Sequence, residues 1–509
     1  MNGFDLTDLS LSRYLYHPGL LILKLQPSII ATLSQAQSSI TADEAQNFSH
    51  LLDAANRSTS SVRSRGEAAF EAVDIALFPP FDRASLMLFE QAHRIRSVVV
   101  LGQTEGADNY ETLKPLISAV EDATSLPETD PNYGVIIVEL ENDRDVPAFQ
   151  SIARSDIGVR FVSRVPIRYL VQQGTTTNYG ALAIPPNNLT LWNHMKIKLA
   201  DAKARSTYVE PSAIKVAVLD TGVDTNHPDL QGLIARYQWK HPDFPASSSE
   251  YDWAGHGTHV AGIISAIDNS GTGISGICQC QLYVWKVFLD IPVLSGPANI
   301  FTYVVDPIMY RRALGECLKL GVDVINLSFG GKAPPDPQEQ QLIDDLSMKQ
   351  GTIIVAAMGN ERRFGSPTFF PAAARNVIAV GATSIDDNVA SFSSSGAHIS
   401  LCAPGVAIWS PLPTYDGQVG FRSSGRFGSK MPGTHIPRDN DYAALDGTSM
   451  AAPHVTAATA LLLANKGKLA PNAVQQRLEA TADRVLGMGG VNRNPNYGAG
   501  RLNVFELLR

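Results

Sequence analysis

The stretch Ile214–Gly222 reads IKVAVLDTG, an almost unbroken apolar run closed by Asp220, Thr221 and Gly222. A strand with water on one face alternates apolar and polar residues, whereas a strand covered on both faces is apolar throughout. The run therefore predicts a central strand of a covered sheet, with turn residues where the chain leaves it. Comparable runs follow at Leu282–Val287, Val322–Leu327, Thr352–Ala357 and Val377–Val380. Helical patterns lie between or after them, at Thr302–Leu320, Asp336–Lys349 and Ala451–Ala464. Strands alternating with helices predict an α/β fold, a parallel sheet with helices on both faces. Ligands bind such sheets outside the carboxyl ends of the strands, and Asp220 falls at such an end.

Alone, Asp220 reads as readily as a turn cap as a functional carboxylate. Three further segments change its weight. Gly255–Gly262, GHGTHVAG, surrounds His256 with small residues, so that another backbone can approach closely. His259 lies one helical turn on and competes for any role given to His256. The two histidines could together suggest a metal, but no Glu or third ligand stands near them. Gly447–Val455, GTSMAAPHV, sets Ser449 just before an Ala-rich helix, where a serine is ordinarily an N-cap and otherwise an exposed hydroxyl at the positive helix end. Pro453 falls in the first turn, where proline is tolerated. Ala356–Glu361, AAMGNE, ends a strand in Asn360, which is either a turn residue or an amide donor for a developing oxyanion.

Taken together, VAVLDTGVDTNHPDL, GHGTHVAGIISA, INLSFGG, AAMGNE and DGTSMAAPHV occur in this order over about residues 190–509, and the set resembles the subtilisin-like serine peptidases. The resemblance implies a serine endopeptidase. In it Ser449 is the nucleophile, His256 the general base, Asp220 the residue that orients the base, and Asn360 the oxyanion donor. It implies that Ser328, Phe329 and Gly330 line a channel for extended peptide substrates. Phe369, in GSPTFFP, stands where a small residue is common beside the first specificity pocket, which implies a shallower pocket. The chemistry needs no cofactor. Asp229 and Asn269 match ligands of a structural calcium, although the loop around Asn269 is one residue longer than the common pattern. A folded but inactive binding module would keep the same pattern, and a metal-dependent hydrolase is the poorer third reading.

The remainder bounds the setting. Net charge is −8 with no long Lys/Arg stripe, which speaks against a nucleic-acid partner. No stretch is apolar enough to span a membrane, and residues 1–51 carry no signal-peptide pattern; the expectation is a cytoplasmic protein. Cys278, Cys280, Cys317 and Cys402 read as reduced or buried thiols. Residues 1–94 form a mostly helical region without a chemical motif, with helical pieces at 42–55 and 85–93. Residues 95–172 read strand (Ser97–Leu101), helix (Tyr110–Asp122), strand (Val135–Glu141), helix (Val146–Ala153), strand (Val159–Ser163), an α+β or ferredoxin-like pattern. This region resembles the propeptide of subtilases, so the chain is expected to be a zymogen whose N-terminal domain binds the peptidase domain in cis. A permanently attached regulatory domain is the alternative. Residues 173–189 are a linker and 190–509 the peptidase domain. Gly417–Asn440, rich in Gly, Ser and Arg, reads as a surface insertion.

Overall fold

In a computed structural model, the structure describes residues 16–25, 95–100, 134–140, 146–155, 159–170, 191–241, 248–267, 273–290, 293–295, 300–424 and 431–509. The predicted helices over 42–55, 85–93 and 110–122, the linker and Asn269 lie outside these residues. The chain divides into two compact units, Pro18–Arg164 and the remainder.

The smaller unit is a four-stranded sheet of β1 (Tyr16–Leu25), β2 (Ile95–Val100), β3 (Val135–Leu140) and β4 (Val159–Pro166), in the order β2-β3-β1-β4. Helix α1 (Val146–Ser155) joins β3 to β4. Strand β1 runs antiparallel to β3, with Ile22 opposite Ile137. Strand β1 comes from the region 1–94, and the smaller unit ends at Arg164, within β4. In β1 the run LLILK carries its apolar residues consecutively, with Leu20 to Leu23 all buried.

The larger unit is built on a seven-stranded sheet. Its strands are β6 (Lys215–Asp220), β7 (Ile234–Gln238), β8 (Gln281–Lys286), β11 (Val324–Leu327), β13 (Ile353–Ala357), β14 (Val377–Thr383) and β15 (Ile399–Pro404). Their order is β15-β14-β13-β11-β6-β8-β7, and every pairing in it is parallel. The reversals in that order are the crossovers that parallel strands require. Val216 to Asp220 are buried without exception, as the opening run predicts. One core packs helices α2 (His256–Ser265) and α5 (Thr448–Lys466) on one face, and a second packs α3 (Pro307–Leu320) and α4 (Pro337–Asp344) on the other. Helix α3 starts at Pro307 rather than Thr302, because Asp306 caps the amides of Ile308 and Met309 and Pro307 is preset for the first turn. The four cysteines are buried and unpaired.

The expected surface insertion is partly regular. β17 (Gln418–Ser424) and β18 (Met431–Pro437) pair antiparallel and continue a sheet through β10 (Ile300–Thr302) to β9 (Val293–Ser295). Shorter pairs complete the unit: β5 (Tyr169–Leu170) with β12 (Phe329–Gly330), and β16 (Ile408–Pro411) with β19 (Tyr442–Leu445).

Candidate active site

Asp220 is the last residue of β6, between β11 and β8 near the middle of the sheet. Its side chain is wholly buried. A carboxylate there has to be hydrogen-bonded, and its Oδ1 receives two donors. One is the Thr221 N–H at 2.7 Å, and the other is Nδ1 of His256 at 2.7 Å. His256 opens α2 and is itself wholly buried, so the pair is shielded from water. A proton held on Nδ1 by Asp220 leaves Nε2 as the basic nitrogen, and Nε2 carries no hydrogen bond.

Two features bring α2 to the end of β6. Gly257 packs so closely that a Cβ would lie 2.1 Å from the Gly222 carbonyl oxygen. Asp252 does the rest. Its Oδ1 accepts from the Thr221 hydroxyl (2.7 Å) and the Gly255 N–H (2.9 Å), and its Oδ2 from the N–H (2.8 Å) and hydroxyl (2.7 Å) of Thr258. One carboxylate thus ties the first turn of α2 to the residue after Asp220 and sits favourably at a helix N-terminus. Sequence reasoning passed over Asp252, although an acid a few residues before a helix start is a recognisable cap signal.

Ser449 is the second residue of α5 and is not its cap, since the N-cap is Gly447. Its hydroxyl donates to the Ser328 carbonyl at 2.9 Å, and the Ser328 hydroxyl donates to the Ser449 carbonyl at 2.9 Å. This reciprocal pair locks the start of α5 to the end of β11. Behind it, the Thr456 hydroxyl donates to Asn326 Oδ1 and Asn326 Nδ2 donates to the Ser328 hydroxyl, a fully buried relay. Asn360 lies just beyond β13, and its Oδ1 accepts from the Thr448 N–H and hydroxyl. The amide NH2 is thereby turned away from Thr448.

His259, the competing histidine, is held in the interior, and so is His454. His259 directs Nε2 at the carbonyls of Ile408 (3.0 Å) and Ala443 (3.1 Å), and burial pulls its pKa down to about 3. His454, from the same segment as Ser449, bonds Met450 and Asn193, and burial lowers its pKa to about 4. Both rings stay neutral in the interior.

Strand β12 pairs antiparallel with β5, Phe329 opposite Leu170 and Gly330 opposite Tyr169. On its other side Tyr169 bridges Val304, and the Val305 N–H donates to the Arg168 carbonyl at 2.9 Å. Phe369 is buried and meets the Tyr169 ring edge to face at 5.5 Å. A Cβ on Gly330 would lie 2.7 Å from the Phe369 ring, so the two fit only because Gly330 has no side chain. Asp229 accepts at Oδ2 from the Ile274 N–H and the Tyr442 hydroxyl, while its buried Oδ1 has no hydrogen-bond donor. Among the described residues no three His, Cys, Asp or Glu side chains gather as a metal site.

A buried Asp–His pair at the strand ends, with a serine at a neighbouring helix start, defines a serine hydrolase of the α/β class. Comparison with known proteins carries this further. The model of the subtilase family matches residues 212–500. Thermitase of Thermoactinomyces vulgaris is 33% identical over 300 residues, which is 59% of this chain and 90% of that protein. Subtilisin DY of Bacillus licheniformis is 33% identical over 294 residues, 57% of this chain and 89% of that one. The crystal structure of fervidolysin from Fervidobacterium pennivorans, a keratinolytic enzyme related to subtilisin, superposes with a TM-score of 0.54 at 24% identity, covering 77% of this chain and 59% of that one. The chain belongs to the subtilase family, and it is a subtilisin-like serine endopeptidase.

Proposed function

We propose that Ser449, His256 and Asp220 form the triad, with Asn360 and the Ser449 backbone N–H as the oxyanion hole. The observation that carries this is the 2.7 Å contact from His256 Nδ1 to Asp220 Oδ1, both wholly buried. Rotation of the Ser449 side chain away from the Ser328 carbonyl presents its Oγ to the peptide carbonyl and to His256 Nε2. As Oγ attacks the carbonyl carbon, Nε2 takes its proton. Asp220 keeps the Nδ1 proton in place and stabilises the imidazolium without being protonated. The carbonyl oxygen becomes an oxyanion and accepts from Asn360 and the Ser449 N–H. Nε2 then protonates the leaving nitrogen, the C–N bond breaks and an acyl-enzyme remains. Water repeats the sequence and releases the acid. A fluorophosphonate probe is expected to label Ser449 in the native protein, with neither labelling nor peptidase activity in Ser449→Ala or His256→Ala. Near-normal turnover by either folded variant would overturn the assignment.

The substrate lies, in this reading, as an extended strand along Phe329–Gly330, the edge that β5 pairs with. That pairing supports a second element. Ile167–Leu170 acts as a built-in inhibitory strand, and the α+β unit before it as the folding aid of a zymogen. A structural calcium would be held by Asp229, through its donorless Oδ1, and by Asn269. A fall in thermal midpoint on adding a chelator, restored by Ca²⁺, tests this.

A further inference from the structure

Arg168 is a buried arginine just before β5. Its side chain is 2% exposed, and that of Glu339, its partner, 1%. The guanidinium grips Glu339 at both oxygens, Nε to Oε1 at 3.2 Å and Nη2 to Oε2 at 2.8 Å, and its Nη1 donates to the Ala333 carbonyl at 2.9 Å. This planar, two-point match suits arginine and not lysine. A second buried ion pair lies at the start of α4, the helix that carries Glu339. Asp336 pairs with Arg311 and caps α4 through the amides of Gln338 and Glu339. Arg311 also donates to the Pro307 carbonyl. Tyr310, on the other core-facing helix, has a phenol pushed well above its ordinary pKa by burial and by the Glu339 charge, so it stays neutral. Glu339 is therefore a buried carboxylate whose described cation partner comes from the strand that lies on the substrate edge.

The register says what that means for a substrate. Leu170 is opposite Phe329, so a bound peptide that keeps this antiparallel register has its next residue opposite Ser328, whose carbonyl holds the Ser449 hydroxyl. A peptide in this register presents to Ser449 the carbonyl of the residue opposite Ser328, and the position of Arg168 is three residues before it. We infer that Glu339, with the Ala333 carbonyl, forms an arginine-selecting subsite for the side chain three residues upstream of the residue whose carbonyl is attacked. The inference rests on the triad reading above. A substrate arginine restores the pair that Arg168 makes, whereas a neutral side chain leaves the Glu339 carboxylate buried without its partner. A site built for a polar group rejects the analogue that lacks it for this reason.

The test uses the full chain and two fluorogenic peptides, Arg-Tyr-Leu-Val and Gln-Tyr-Leu-Val, each followed by a coumarin amide; the first copies residues 168–171. A charged hydrogen-bonded pair corresponds to about 10- to 100-fold, so the native protein is expected to prefer the arginine peptide in kcat/KM by at least about tenfold. In Glu339→Gln the ratio falls to about 1, and in Glu339→Asp it takes an intermediate value. Each ratio is internal to one variant and does not depend on how much of it folds. A ratio near 1 in the native protein, or one that persists in Glu339→Gln, overturns the subsite while the triad stands. Failure of the native protein to cleave casein overturns the triad reading, and the subsite with it.

Discussion

Thr448 donates two hydrogen bonds to Asn360 Oδ1, one from its backbone N–H at 3.0 Å and one from its hydroxyl at 2.9 Å. The same hydroxyl accepts from the Gly359 N–H at 3.1 Å. An amide anchored at its oxygen in this way has its NH2 direction set before substrate arrives. Such preorganisation is where oxyanion stabilisation comes from, because no reorganisation is needed as charge develops. Asn360→Ala is expected to lower kcat by about 10²–10³ with little change in KM. Thr448→Val keeps the backbone donor and removes the hydroxyl; a smaller loss of about tenfold is expected, again in kcat, as for one neutral hydrogen bond. Steady-state kinetics on one peptide separates the two, and an effect of Thr448→Val confined to KM would refute the positioning role.

A second expectation concerns acid. His259 and His454 are wholly buried, with pKa values drawn down from 6.5 to about 3 and about 4 by burial. In the unfolded chain both take up protons near their ordinary pKa of about 6.5. Between those values and 6.5 the unfolded state binds more protons than the folded one, so stability rises with pH through this window. These two groups thus stabilise the fold fully above about 6.5 and lose that contribution as pH falls toward their folded values. Urea midpoints of Ser449→Ala, which does not digest itself in this reading, should climb from pH 4 to 6.5 and then level. A flat midpoint over that range would show that the two rings are not held neutral by burial.

How far these features could be read in advance depends on the range of the interaction. The five strands expected for the larger domain are present to within two or three residues, because a doubly covered strand must be apolar at nearly every position. The triad candidates stood in short, distinctive segments. By contrast, β17 and β18 escaped because a hairpin rich in Gly, Ser and Arg carries little period-two signal. Strand β1 escaped because the Ser- and Ala-rich surroundings drew the reading toward helix. Arg168 and Glu339 are 171 residues apart, and nothing local to either announces the other.

Phe369 supplies the third prediction. Phe369 is buried and lies against the Gly330 edge and against Gly359, whose added Cβ would come 3.0 Å from its ring. A ring in that place takes up volume that a substrate side chain would otherwise use. The native protein is expected to favour small or medium apolar residues immediately before the cut, and Phe369→Gly to extend the range to Phe and Tyr. A peptide library profiled with both proteins measures this. A native profile dominated by Arg, Lys or large aromatics at that position would remove Phe369 as the wall.

The last prediction concerns Ile167–Leu170 as an inhibitory strand. It is held on both sides, by Val304–Val305 and by Phe329–Gly330, and Arg168 anchors it through the buried pair with Glu339. A strand so placed blocks the edge a substrate needs. Continued by one residue, this register reaches Ser328, whose carbonyl holds the Ser449 hydroxyl. The native chain is therefore expected to cut itself after Val171, at a rate independent of protein concentration, while Ser449→Ala stays at its full intact mass. Removing the anchor leaves a buried carboxylate unpaired and loosens the strand. Arg168→Ala should thus react with a fluorophosphonate about tenfold faster or more before any cut occurs, given what charged hydrogen bonds are worth. Intact-mass spectrometry over time, at several protein concentrations, reads the cut. If the fully active enzyme retains an uncut chain of 509 residues, the strand belongs to a permanently attached regulatory domain. If pure Ser449→Ala is cut equally well, another protease does the processing.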